Sequence, residues 1–101
     1  MNIVLACNAG MSTSMMKMRL AQETKARGIE ATVVAVPVSE LDEYIETASI
    51  VLLGPQVKFA FNDIQKKYPN TPMFVMDMKD YGQMNAKVVL DKALKEIENF
   101  K

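Results

Sequence analysis

Short apolar runs alternating with helix-forming stretches predict an α/β fold: a single domain over residues 1–101, with a four-stranded parallel sheet of order 2-1-3-4 and helices on both faces. Three observations carry this expectation. The runs at Ile3-Val4-Leu5 and Ile50-Val51-Leu52-Leu53 are continuous rather than alternating, as in strands buried on both faces. Each apolar run is followed by a segment with helical spacing, which implies right-handed crossovers between parallel neighbours. At 101 residues and 50% hydrophobic composition, the chain has material for one core and too little for two ordinary ones.

The first strand is expected over Met1 to Ala6, with Cys7 at its exit and Gly10 permitting a tight turn. Ser12 to Arg27 mixes methionine, leucine, alanine, lysine and glutamate as a helix does, and Gly28 is placed to end it. Ala31 to Val38, with Val33, Val34 and Val36, reads as the second strand, which Pro37 closes. Ser39 can cap a short helix over Glu40 to Ala48, whose acids form a solvated face. Ile50 to Leu53 is the third strand and Gly54-Pro55 stops it. Val57, Ala60, Phe61 and Ile64 suit a helix over Gln56 to Tyr68, ended by Pro69-Asn70. Pro72 to Met76 is the fourth strand, Asp77 to Gln83 reads as an irregular loop, and a last helix runs from Met84 with Leu90, Ala93, Leu94 and Ile97 on one face.

Composition excludes several functions. Lysine plus arginine equals aspartate plus glutamate, 12 against 12, so no global field draws the chain to nucleic acid or an anionic membrane. One cysteine allows no internal disulfide, and with neither a basic leader nor a membrane-length apolar run this points to the reducing cytosol. With no histidine, the usual zinc ligand sets and the Ser-His-Asp and Cys-His catalytic pairs are excluded, and no metal or cofactor is expected. The nine methionines suit irregular core packing, with some available for a docking surface. The glycine-rich nucleotide loops are absent, and Gly10 stands where a redox Cys-x-x-Cys motif would need its second cysteine.

Chemistry concentrates in Cys7-Asn8-Ala9-Gly10-Met11-Ser12-Thr13-Ser14. A buried cysteine is often only a small hydrophobe, but a structural strand end has no use for so many hydroxyl donors beside one sulfur. Backbone N–H groups from Asn8 through Ala9, Gly10, Met11, Ser12 and Thr13 to Ser14 could curl around one oxyanion at the positive end of the following helix. The expected catalytic residue is therefore Cys7 and the expected phosphate-binding residues are 8–14. In the order 2-1-3-4, the loops after Leu53 and Met76 flank the sulfur, making Gln56 and Tyr81 possible flanking residues. Met11, Gln56 to Phe59, and Tyr81 are the edge residues available to partners, against a plainer reading of Met11 and Phe59 as core.

This loop, with Val51-Leu52-Leu53-Gly54-Pro55-Gln56 downstream, resembles the lactose/cellobiose-type IIB components of the bacterial sugar phosphotransferase system over essentially the whole chain. The resemblance implies a cytoplasmic phosphocarrier, transiently associated with the membrane. Cys7 would take a phosphoryl group from a phosphohistidine of IIA and pass it to a sugar bound by the membrane component IIC. Cellobiose, chitobiose, lactose or another β-glucoside would be the acceptor. The rival is a low-molecular-weight phosphatase or arsenate-reductase-like hydrolase, whose loop runs cysteine, five residues, arginine. Thr13 occupies that arginine position here, removing the fixed bidentate charge a free phosphomonoester needs. Asp77 and Asp80 are the acids that could approach the site as proton donors.

Overall fold

The computed structural model describes residues 1–8 and 11–100, with the backbone alone at 11–13. Strand β1 (Asn2–Cys7) leads to helix α1 (Met11–Ala26) and strand β2 (Thr32–Pro37). A 3₁₀ segment (Val38–Glu43) precedes β3 (Ile50–Leu53), and a second (Pro55–Ala60) runs into α2 (Phe61–Lys67). Then come β4 (Met73–Val75), α3 (Met78–Gly82) and α4 (Ala86–Phe100). The four strands lie in the expected order β2-β1-β3-β4, and every pairing is parallel.

Successive side chains of a strand face opposite sides, so the continuous apolar runs build two cores. Ile3, Leu5, Ile50 and Leu52 face α1 and α4, meeting Met16, Leu20, Val89 and Leu90. Val4, Ala6, Val51 and Leu53 face the other way, toward Leu41, Val57 and Ile64. The helices therefore cover both faces. β1 is the central element, pairing with β2 from Asn2↔Thr32 to Cys7↔Pro37 and with β3 from Ile3↔Ile50 to Ala6↔Leu53.

Three connections differ from the sequence expectation. Residues 40–48 form no α-helix; the 3₁₀ segment from Val38 to Glu43 buries Leu41 alone among its residues, and a 3₁₀ turn gains more length per residue across a short connection. The expected helix over 56–68 is divided, because Val57, at φ −113° and ψ 22°, leaves helical geometry to put its side chain in the core. The loop after β4 is partly helical. Asp77 caps α3 by accepting a hydrogen bond from the Lys79 N–H at 2.8 Å, and Met84, at φ 52°, closes that helix so that α4 begins at Ala86 rather than at Met84.

Helix α1 ends as Gly28 predicts. The Ile29 N–H reaches the Thr24 carbonyl at 2.9 Å and the Gly28 N–H reaches Lys25 at 3.1 Å, a Schellman pair requiring the left-handed residue that Gly28 supplies at φ +71°. Next to it, Arg27 donates from Nε to Glu23 at 2.8 Å and from Nη1 to Asp91 at 2.7 Å, tying α1 to α4. The bond to Glu23 foremost, and then that to Asp91, raises the guanidinium pKa from its ordinary value.

A Cβ at position 28 would meet nothing within 4 Å, so Gly28→Ala isolates the backbone cost. It should destabilise the fold by about 1 kcal/mol, the penalty of a left-handed non-glycine residue. Urea unfolding with an unchanged slope and a lower midpoint is the expected result.

Candidate functional site

The carboxyl edge of the sheet is where the chain reverses its winding. β1 connects through α1 to β2 on one side, while β3 on the other side leads outward to β4. In open parallel sheets, ligands bind in the crevice this reversal leaves beyond the strand ends. Cys7 is the last residue of β1 and lies at that point, opposite Pro37 in the register. It is only 5% exposed, so its sulfur can be reached only by a closely fitting partner.

Asn8 follows as an exposed bend, and the backbone of α1 starts at Met11, within four residues of the cysteine. Ser14 is exposed in the first turn of that helix. The expected phosphate-binding positions Ala9 and Gly10, and the side chains of Met11, Ser12 and Thr13, lie outside the described residues.

The turn after β3 comes directly against Cys7. The Gly54 N–H donates to the Ala6 carbonyl at 2.9 Å, extending the β1–β3 ladder by one bond. A Cβ on Gly54 would stand 3.3 Å from the Cys7 Cβ and 2.6 Å from Gln56 Oε1. Gln56 Oε1 and the Cys7 Cβ thus border the same small space at Gly54, and Gln56 is an exposed residue. Sequence reasoning read Gly54 as a strand stop and missed this close approach. The Gly-Pro pair was its one local signal.

Tyr81 sits in α3 at 5% exposure and joins the core formed by Ile3, Leu5 and Met16, because the capped helix replaces the expected loop and turns the ring inward. Phe59, among the expected edge residues, is 80% exposed and not core. Met78, which sequence reasoning did not single out, is 74% exposed at the start of α3. A shallow depression of about 380 Å³ lies between Pro55 and Lys58 on one side and Asp77, Met78 and Lys92 on the other.

The two acids after β4 have structural partners. Asp77 caps α3, and Asp80 accepts from Lys92 Nζ at 3.1 Å.

Residues 2–92 match the family described as the lactose/cellobiose-specific IIB subunit of the phosphotransferase (PTS) system. The chain belongs to that family. It is a IIB component of a sugar phosphotransferase system, a phosphotransferase that works with IIA and IIC components. The oligo-beta-mannoside-specific EIIB component of Bacillus subtilis strain 168 is 34% identical over 99 residues, covering 96% of each chain. The galactose-specific EIIB component of Lactococcus lactis subsp. cremoris strain MG1363 is 36% identical over 104 residues, covering 96% of this IIB and 93% of that protein. Among solved structures, the cellobiose-specific IIB component of Borrelia burgdorferi superposes with a TM-score of 0.82 at 36% identity, covering 100% of this chain and 94% of that one. Among the described residues of this IIB, no helix is long and apolar enough to cross a membrane.

Asp77→Ala should remove the α3 cap and lower stability by about 1 kcal/mol, whereas Asp77→Asn, which retains a capping oxygen, should cost much less. Denaturant midpoints of the two variants check this. Equal losses would contradict the capping role.

Proposed function

We propose that this IIB carries phosphate on Cys7, receiving it from a phosphohistidine of IIA and delivering it to a sugar held by IIC. The observation behind this reading is the position of Cys7: the terminal residue of the central strand, at the reversal of winding and directly before α1. The sulfur attacks phosphorus and the S–P bond forms as the N–P bond breaks, the histidine nitrogen keeping the electron pair and taking up the thiol proton. In the second step a sugar hydroxyl attacks, the S–P bond breaks and sulfur leaves with its pair, while the hydroxyl proton passes to a base on IIC or to water. Such transfers depend chiefly on alignment and on electrostatic support of the phosphoryl oxygens. Residues 8–14 are the proposed donors, through backbone N–H groups and the hydroxyls of Ser12, Thr13 and Ser14.

Hydrolysis of a free phosphomonoester fits less well. Thr13 replaces the arginine of such loops, and Asp77 and Asp80 already serve a helix cap and an ion pair. Relatives of nearly equal similarity are named for different sugars, oligo-beta-mannoside and galactose, which agrees with sugar choice residing in IIC. The neutral chain gives no strong steering field, so partner exchange would rest on local contacts. IIA and IIC would use one overlapping face around Cys7, with Phe59 and Met78 as exposed apolar contacts and the membrane association transient.

Incubation with phosphoenolpyruvate, the general phosphotransfer proteins and a cognate IIA should add one phosphate to Cys7, located by mass mapping. Cys7→Ser should keep the fold and abolish turnover, since a hydroxyl is a far weaker nucleophile at neutral pH. Phosphate elsewhere, or full transfer by the serine variant, overturns the reading.

The shared face has its own check. Chemical-shift perturbation by IIA and by a IIC preparation should give overlapping footprints that include Phe59 and Met78. Separate footprints, or one on the opposite edge of the sheet, would contradict it.

A further inference from the structure

We propose that Gly54 is a positioning residue: its missing side chain is the seat that holds the Gln56 carboxamide against Cys7, where the amide donates a hydrogen bond to the phosphorylated cysteine. The inference rests on Cys7 being the phosphoryl acceptor. It assigns a role to a glycine whose backbone, at φ −66° and ψ 150°, is open to other residues. Left-handed geometry therefore does not demand glycine here. Space does.

The point a Cβ would occupy is 2.6 Å from Gln56 Oε1, 3.3 Å from the Cys7 Cβ and 3.8 Å from the Ala6 carbonyl oxygen. A real Cβ could not coexist with the first of these atoms, and the second would have to give way slightly. The carboxamide thus fills the volume that an ordinary residue would take, beside the cysteine and at the end of the β1–β3 ladder. The carboxamide oxygen is the atom nearest that point, and the N–H₂ group on the other arm of the amide is the donor assigned to the phosphate. Gln56 is also exposed as a residue, so an arriving phosphate meets this donor without rearrangement of the core. The neighbouring backbone fixes the turn: Gly54 N–H bonds to Ala6, and the Val57 N–H bonds back to the Gly54 carbonyl at 3.0 Å. Val57, 1% exposed, anchors the far side of Gln56 in the core. The glutamine side chain is the flexible neighbour and takes most of the displacement, so crowding at position 54 moves it at little structural cost while Cys7 gives by only a few tenths of an ångström.

That asymmetry makes the idea testable by a double-mutant cycle. The full chain and its Gly54→Ala, Gln56→Ala and doubly substituted forms would be charged from phospho-IIA, following the rate of phosphate arrival on Cys7 and the ³¹P shift and hydrolysis lifetime of the phosphocysteine. Gln56→Ala should slow transfer about tenfold to hundredfold, as loss of a hydrogen bond to a charged group does. Gly54→Ala should slow it comparably with little change in unfolding midpoint, and both variants should move the ³¹P signal in the same direction. The double variant should be no slower than Gln56→Ala. Losses that multiply would mean that position 54 acts on Cys7 directly and would overturn the seat. Wild-type rates and ³¹P shifts in Gln56→Ala, with Cys7 normally phosphorylated, would overturn this inference alone. A wild-type chain that takes no phosphate on Cys7 overturns the acceptor reading and this inference with it. Failure of Gly54→Ala to fold would overturn the seat, since little structural cost is expected, and Gln56→Ala and Gln56→Glu would then still test the amide donor. The carboxylate lacks the donor and repels phosphate, so it must be slower than alanine.

Discussion

The pairing of β1 with β2 on one side and β3 on the other is the constraint on which the rest of the molecule depends. A strand with parallel neighbours on both edges has its backbone groups satisfied along its length, and here both of its faces are buried as well: Ile3, Leu5 and Ala6 are 0% exposed. Cys7 is the last paired residue of that strand, and Gly54 adds one further bond, to Ala6, on the side where the turn after β3 arrives. Alignment is the main contribution a protein makes to phosphoryl transfer, so a cysteine placed by the sheet is chemically useful.

The arrangement also divides labour between the two cores. α1 and α4 close one face, and Arg27 fastens them together at the far end of α1 from the cysteine. The other face is closed by 3₁₀ turns and the short α2. Such segments carry little cooperative stability of their own and are held by single anchors such as Leu41 and Val57. The edge built from them can present Gln56, Lys58 and Phe59 outward while the anchors stay fixed.

The strands, their order and the place of Cys7 were legible because continuous apolar runs have few alternatives in a chain this small. What was not legible depended on tertiary competition at short segments. The helix expected at 40–48 gives way to a 3₁₀ turn because its only fully buried anchor is Leu41. Tyr81, expected in a loop, is buried in a helix for the same reason. Whether a residue beside a turn faces in or out depends on a rotation of about one residue, set here by the Asp77 cap and by the distorted Val57. Gly54 illustrates the sharper limit. Its turn chemistry is visible in Gly-Pro, but its contact with Cys7 joins positions 47 residues apart and follows only from the β1–β3 register.

A chain with no histidine cannot supply the base of a Cys-His pair, and this shapes what the site can do. Hydrolysis requires water to be activated beside the phosphoryl group, and the two acids after β4 are committed to a helix cap and a lysine. Transfer between partners has no such requirement, since each partner brings its own reacting group and leaves with it. A cysteine residue at 5% exposure adds to the distinction: water can approach from few directions, while a protein shaped to the edge can bring a donor or an acceptor into line. On the proposed reading, the features that disfavour hydrolysis at this edge are the ones a phosphocarrier needs, because a carrier works only while its phosphate outlives the interval between one partner and the next.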